Sequence, residues 1–189
     1  DRSVSRGLGD VYKRQVKEME DKKNKATKYR FLIRFIIKTC LIAGAAAAVL
    51  IWVLSPYRMS GNSMFPSIRD GDLCIFYKPE PCYFNDVVLY EDEKGNTKVG
   101  RIVAAGGQTI DFMEEGGYEV NGYQAMEEVP YETYRAEESN VSYPLTLEEN
   151  SYFILNDFRS DTSDSREEGP VSGSKIHGKL LFLLRRRGF

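Results

Sequence analysis

Histidine and cysteine are scarce in this sequence, because its 189 residues include one His and three Cys. No two cysteines have the close spacing of a zinc-binding pair, and we interpret His177 as a surface or turn residue. A large net charge is also lacking: the formal value is -2 with 29% charged residues, which excludes a globally basic nucleic-acid binder. The sequence therefore predicts no metal, no cofactor and no nucleic-acid partner.

One long apolar run stands out, FIIKTCLIAGAAAAVLIWVL at residues 35–54. Its roughly 20 residues, at about 1.5 Å rise each, match the hydrocarbon thickness of a bilayer. Cationic residues precede it, whereas Arg58 alone lies just after it, which places the N-terminus in the cytoplasm. Eight such residues precede the run or lie near its start: Lys17, Lys22, Lys23, Lys25, Lys28, Arg30, Arg34 and Lys38.

These features predict four segments. Residues 1–15 have no apolar period and are interpreted as a non-native or disordered leader; residues 16–34 form a basic cytoplasmic segment. A single transmembrane helix at 35–55 follows, and residues 56–189 form an extracellular domain at the cell membrane. A cleaved secretory signal would have a shorter apolar region with its cleavage site after the run. A buried core helix would need a second apolar helix to cover it.

The segment after residue 55 alternates short β-rich stretches with turn residues. The stretches are LCIFYK, DVVLYE, KVGRIVAA, TIDFM, YEV, SYFIL and KLLFLL, and KGN and NG between them are hairpin signals. No long amphipathic helix is evident there, so we expect a mainly β, antiparallel domain. The polar stretch EEVPYETYRAEESNVSYP predicts a long loop.

Two cysteines, Cys74 and Cys82, fall in this outer segment. A disulfide between them is permitted in that compartment, and the intervening KPEP turn could bring them together. Free, partly buried cysteines are the favoured interpretation. The sequence leaves both alternatives open.

The stretch SGNSMFPSIRDGD at residues 60–72 places Ser63 in a polar turn bounded by Gly and Pro. A serine acts as a nucleophile only with an adjacent base and with donors for the developing oxyanion. A turn that presents the hydroxyl beside backbone N–H groups supplies part of that arrangement. Turns of this composition are common, so the stretch alone is weak support.

Five blocks in order carry a resemblance: SGNSMFPSIRDGDLCIFYK, NDVVLY, VGRIVAAGGQTI, YEVNG and SYFILNDFRSDTSDSREEGPVSGSKIHGKLLF. In content, order and position after an apolar segment, the chain resembles the type I signal peptidase family over roughly residues 30–185. The resemblance implies a membrane-bound Ser/Lys endopeptidase with the antiparallel β fold of that family. Its partners would be exported precursor proteins with their signal peptides, and the lipid bilayer.

The resemblance also implies roles for individual residues. Ser63 matches the nucleophile, and Met64 matches a residue that lines the small pocket for the Ala-like side chain before the cut. Asp72 matches a residue that holds the turn. Thr162 stands where the family has a serine whose hydroxyl orients the base. The remaining matches are site-support residues: Arg101, Asp157, Arg159, Asp164, Ser165 and Arg166.

The base is where this sequence departs from the family, because Gly100 occupies the position of the catalytic lysine. Residues two apart in a strand share a face, about 6.5 to 7 Å apart. Lys98 therefore shares a face with position 100, where the missing Cβ would leave open space. We name Lys98 as the candidate replacement base; a solvated lysine of ordinary pKa is the alternative.

Three functions remain at this point. The first is an active signal peptidase that cuts after Ala-x-Ala-like sites with a relocated base. The second is a non-catalytic relative that binds pilins or other secreted proteins during assembly. The third is a self-cleaving repressor of the same fold superfamily, which the apolar segment and the lack of a helix-turn-helix pattern disfavour.

Overall fold

The computed structural model describes residues 2–78, 81–126, 129–137, 139 and 141–185. Its backbone contacts divide the chain into two units, Asp1–Leu50 and Ile51–Phe189. Helix α1 runs Arg2–Val53 and contains the predicted leader and the basic segment. Within α1, Thr27–Val53 is long and apolar enough to cross a membrane. Residues 2–15 are thus helical in the structure; their interpretation as non-native stays a prediction.

The regular secondary structure of the second unit is mainly β-strand. Its described strands are β1 (Leu54–Arg58), β2 (Leu73–Tyr77), β3 (Val87–Glu91), β4 (Thr97–Ala105), β5 (Thr109–Phe112), β6 (Tyr118–Val120), β7 (Tyr123–Gln124), β8 (Leu145–Thr146), β9 (Ser151–Leu155), β10 (Val171–Ser172) and β11 (Ile176–Leu184). Helix α2 (Ser165–Glu168) and a 3-10 turn at Gly173–Lys175 lie between β9 and β11. The mainly β fold after one apolar helix is confirmed.

Two antiparallel sheets arrange these strands. The larger has the order β1-β2-β11-β3-β4-β9-β10, and the smaller has the order β7-β6-β5-β8. All the pairings are antiparallel, including the hairpin β3–β4, in which Tyr90 lies opposite Lys98. The last strand, β11, lies inside the larger sheet between β2 and β3.

Alternating burial along the strands builds the core. Three buried clusters form: one contains Val103, Phe112, Tyr118 and Phe153, a second contains Met59, Met64, Cys74, Phe76 and Val99, and a third contains Val88, Tyr90, Ile102 and Ile154. Val99 and Ile102 on β4 thus face different clusters, as the two-residue period of a strand requires. Strand β4 therefore separates two packed regions, with Lys98 near its first end.

Both outer cysteines are free in the structure. Cys74 is buried in the second cluster, whereas Cys82 packs against the third. Burial, together with the charge of Asp72, raises the pKa of the Cys74 thiol to about 11. The interpretation of free, partly buried cysteines agrees with this packing.

Candidate active site

The turn that carries Ser63 joins β1 to β2 and is closed at its ends by backbone hydrogen bonds. Met59 N donates to Asp72 O at 2.8 Å. The buried Asp72 carboxylate accepts a hydrogen bond from Arg69 N at 3.0 Å. These bonds fit the role predicted for Asp72, which is to hold the turn rather than to react.

Ser63 is fixed through its backbone. Its carbonyl accepts a hydrogen bond from Phe158 N at 2.9 Å, and the next residue, Met64, is fully buried. Among the described residues, the Ser63 hydroxyl makes no hydrogen bond. The side chain is therefore held at a defined place while its hydroxyl stays available.

A cleft of about 240 Å³ opens beside Ser63. The residues that line it come from the end of β1, from the Ser63 turn, from the start of β4 and from the loop after β9: Tyr57, Met59, Ser60, Gly61, Asn62, Ser63, Thr97, Lys98, Val99, Asn156, Asp161 and Ser163. The structure thus brings Ser63 and Lys98 to one cleft. Met64 is not in this lining, and its role in a substrate pocket stays a prediction.

Lys98 makes three contacts through its amine. Its Nζ lies 2.9 Å from Glu168 Oε1, 3.1 Å from Ser163 O and 3.3 Å from Asp92 Oδ2. Partial burial alone would lower the pKa of Lys98, but the contacts with Glu168 and Asp92 outweigh it and raise that pKa above its ordinary value. In this arrangement Lys98 is a charged ammonium and not a free amine.

The space at Gly100 differs from the prediction. Gly100 is buried, and a Cβ built on it would lie 2.5 Å from Ile154 Cγ2 and 3.3 Å from Tyr90 Cε1. The expectation of open space was wrong, because residues of the third core cluster fill that side of β4. Tyr90 OH, which is buried there, makes no hydrogen bond among the described residues.

Two ion pairs with buried carboxylates support the loop that lines the cleft. Arg101 binds Asp157 with two hydrogen bonds, from Nε at 2.7 Å and from Nη2 at 2.6 Å. Arg166 binds Asp164 through Nε at 3.0 Å and Nη2 at 2.8 Å. Both carboxylates are almost wholly buried, so the pairs stabilise the loop without reaching the cleft as reactants.

Arg166 organises the loop further through backbone carbonyls. It donates to Arg159 O at 2.8 Å, to Asp161 O at 2.7 Å and to Tyr134 O at 3.2 Å. Arg159 Nη1 in turn donates to Asn156 O at 2.8 Å. A planar guanidinium with five donors suits this task, which a lysine could not perform.

Ser165 and Thr162 complete the predicted set. The Ser165 hydroxyl accepts a hydrogen bond from Ile154 N at 3.0 Å, which ties α2 to β9. The Thr162 hydroxyl donates to Glu167. Thr162 is thus engaged by a carboxylate outside the cleft rather than by Lys98, and its predicted role in orienting the base stays a prediction.

Comparisons with known proteins identify the family of this chain. Residues 32–184 match the family described as signal peptidase, peptidase S26, which covers well over half of the chain. The chain belongs to the S26 signal peptidase family. Signal peptidase IB of Staphylococcus aureus is 25% identical over 167 residues, which is 75% of this chain and 86% of the relative. Signal peptidase I of Bacillus licheniformis is 27% identical over 162 residues, with coverage of 78% and 86%.

A solved structure is also similar to the chain. It is the crystal structure of a signal peptidase I from Enterococcus faecalis V583, with 22% sequence identity and a TM-score of 0.47. The match covers 54% of this chain and 98% of that chain.

For this S26 family member, the chemistry available in the cleft is that of a serine beside a cation. A serine nucleophile needs a group that accepts its proton. The cleft supplies two candidates among its lining residues, the Lys98 amine once it has lost a proton, and the Asp161 carboxylate. One oxygen of Asp161 already accepts hydrogen bonds from Ser163 N and Oγ, at 3.1 and 2.5 Å.

Three site residues were missed from the sequence: Asp92, Asp161 and Glu168. Asp92 begins the DEKGN turn, and an Asp at such a position often binds the backbone two residues on, so a turn signal existed. Asp161 and Glu168 had no comparable signal, because only the tertiary fold brings them near Lys98 or Ser63.

His177 lies outside the cleft lining, with Nε2 3.8 Å from Glu91 Oε2 at the surface. Among the described residues, no group of three or more His, Cys, Asp and Glu side chains could hold a metal ion.

Proposed function

We propose that this chain is a membrane-bound serine endopeptidase of signal peptidase I type, which removes signal peptides from exported precursors. The observation that carries the proposal is the shared cleft of Ser63 and Lys98 in a chain of the S26 family. Ser63 Oγ would attack the carbonyl carbon of the scissile bond while its proton passes to the Lys98 amine. The same proton would then go to the leaving nitrogen, and water would release the acyl group.

The test is cleavage of a generic exported precursor with an Ala-x-Ala-like site by the full chain in lipid vesicles. Ser63→Ala should abolish cleavage, whereas Ser174→Ala should leave it unchanged, because Ser174 is exposed in the 3-10 turn before β11. Equal cleavage by native chain and Ser63→Ala would contradict the proposal. No cleavage by the native chain would favour the alternative, a protein that binds precursors or pilins without cutting them.

We propose further that α1 crosses the membrane once and that the β domain lies outside the cell. The apolar segment Thr27–Val53 and the cationic residues before it support this topology. Protease added to intact protoplasts should digest the β domain. Survival of the domain until the cells are lysed would contradict the orientation.

Exposed apolar side chains on one face of β2 and β11 support a second contact between this chain and lipid. Leu73, Phe182 and Leu184 are exposed there, and Leu184 lies opposite Leu73. Strand β1, which pairs with β2, starts at Leu54, the residue after the end of α1. Phe182→Asp should therefore reduce cleavage of a membrane-bound precursor several-fold and leave cleavage of a soluble peptide unchanged. Equal loss for both substrates would contradict lipid contact.

A further inference from the structure

Three acceptors surround the Lys98 ammonium. Its acceptors, Glu168 Oε1, Ser163 O and Asp92 Oδ2, come from three different places in the fold. Glu168 and Ser163 accept hydrogen bonds from Nζ, and Asp92 forms an ion pair with it, so all three compete with Ser63 for this amine. Lys98 can accept the serine proton only after it has lost one of its own and been freed from at least one acceptor.

Asp92 is a fixed acceptor. Its side chain is 1% exposed, and it also accepts hydrogen bonds from Lys94 N at 2.9 Å, Asn96 N at 2.8 Å and Asn96 Nδ2 at 3.0 Å. These bonds hold the carboxylate in the turn between β3 and β4. The Asp92 carboxylate therefore cannot move away from Lys98 unless the β3–β4 turn opens.

Glu168 is the acceptor that can move. It is the last residue of α2, its side chain is 18% exposed, and Lys98 is its one polar side-chain partner among the described residues. Its backbone N–H donates to Asp164 O at 3.0 Å, which joins Glu168 to the loop that lines the cleft. A shift of that loop, as on substrate binding, would act directly on the contact with Lys98.

We infer that Glu168 is a positioning residue for Lys98, and that its carboxylate keeps the amine out of use until the contact between them opens. The inference rests on the proposed function, since it assigns the proton transfer from Ser63 to Lys98. Glu168 does not touch the substrate in this scheme; it acts through the amine alone. The substitution Glu168→Gln then raises the fraction of neutral Lys98 and makes the cleft more active near neutral pH.

The first measurement does not depend on activity. Full chain in detergent micelles is labelled with limiting acetic anhydride between pH 6 and 10, and acetylation of Lys98 is followed by mass spectrometry. The exposed Lys94 serves as the internal reference in the same sample. The native chain should label Lys98 more slowly than Lys94. Glu168→Gln should shift the Lys98 profile to lower pH, with about threefold to tenfold more labelling at pH 7 for a shift of half a unit to one unit.

The matched control is Glu93→Gln, which removes an exposed ion pair with Lys175 in the same β3–β4 turn. It should leave the Lys98 profile unchanged, and Glu168→Asp should partly restore the native profile. Native labelling of Lys98 that equals that of Lys94 and does not respond to Glu168→Gln would overturn the inference. A higher maximum of Lys98 labelling, with no shift of its profile along the pH axis, would also overturn the inference, because that result would mean only that Lys98 is more exposed.

The second measurement separates this inference from the proposed function. Precursor cleavage by Glu168→Gln should increase by the same factor as the labelling at pH 7, and its rise with pH should begin earlier. A changed labelling profile with unchanged cleavage would confirm the contact of Glu168 with Lys98 and overturn its role in proton transfer. If Lys98→Ala then cleaves as fast as the native chain, Lys98 is not the base and the proposed mechanism is wrong as well.

Discussion

Gly100 provides the sharpest test of the packing around β4. A Cβ at this position would lie 2.5 Å from Ile154 Cγ2, at least about 1 Å closer than the optimum for two carbon atoms. Ile154 is fully buried in the cluster with Val88, Tyr90 and Ile102, so it has no free space to enter. We expect Gly100→Ala to lower the free energy of unfolding by about 1–3 kcal/mol, the usual cost of overpacking.

The assay is thermal and chemical unfolding of the full chain in detergent, followed by near-UV circular dichroism. Ile154→Val retains the methyl that a Cβ would meet, whereas Ile154→Ala removes it. Gly100→Ala should therefore remain costly in the Ile154→Val background and become neutral or stabilising in the Ile154→Ala background. The same cost in all three backgrounds, or no cost in the native one, would refute the reasoning.

The same geometry governs restoration of the family's lysine. Gly100→Lys adds a longer side chain beyond the same Cβ, so this single substitution should destabilise the domain and give no gain in cleavage. The double substitution Gly100→Lys with Ile154→Ala removes the Ile154 methyl and so makes room for the lysine side chain. A gain in cleavage by Gly100→Lys alone, in a stable protein, would show that Ile154 moves aside.

The remaining predictions concern charged groups. Asp157→Asn, which removes the buried carboxylate from the partly exposed Arg101, should lower the free energy of unfolding by about 1–3 kcal/mol in chemical denaturation; Asp111→Asn, which breaks an exposed ion pair, should cost less than about 1 kcal/mol, and equal costs would contradict the argument. Burial alone would raise the pKa of Asp92, but hydrogen bonds from Asn96 and Lys98 lower it to about 2. Asp92 then contributes stability above pH 3.8 that is lost as the pH falls towards 2. Asn96→Ala should reduce this acid-dependent loss of melting temperature, and identical profiles between pH 2 and 6 would count against the assignment.

Much of the fold could be predicted from local patterns. Runs such as DVVLYE and SYFIL became β3 and β9, because their alternation and turn residues act over a few positions. Strands β1, β7, β8 and β10 were missed: β1 begins at Leu54, inside the predicted membrane span, and each of the other three has only two residues, too few for an alternating pattern. The loop predicted after β7 agrees with the described part of residues 125–144, which has no helix or strand.

The candidate site was predictable where the residues form short motifs. The block order indicated Ser63, Arg101 and Asp157; the structure shows Arg101 bound to Asp157 and adds the cleft that Ser63 shares with Lys98. The error at Gly100 came from a distance that strand periodicity cannot give. Periodicity assigns a face, but only the packing of β9 against β4 shows that Ile154 already occupies it.

The central place of β11 has a consequence for when the cleft can exist. The Ser63 turn belongs to the hairpin of β1 and β2, Lys98 belongs to the hairpin of β3 and β4, and in the sheet β11 lies between these hairpins. Chains are synthesised from the N-terminus, and pairing between distant strands is slow. Both hairpins are thus made well before the strand that joins them. A chain assembled in this order carries Ser63 through synthesis without the assembled cleft, which forms only once β11 has paired with both β2 and β3.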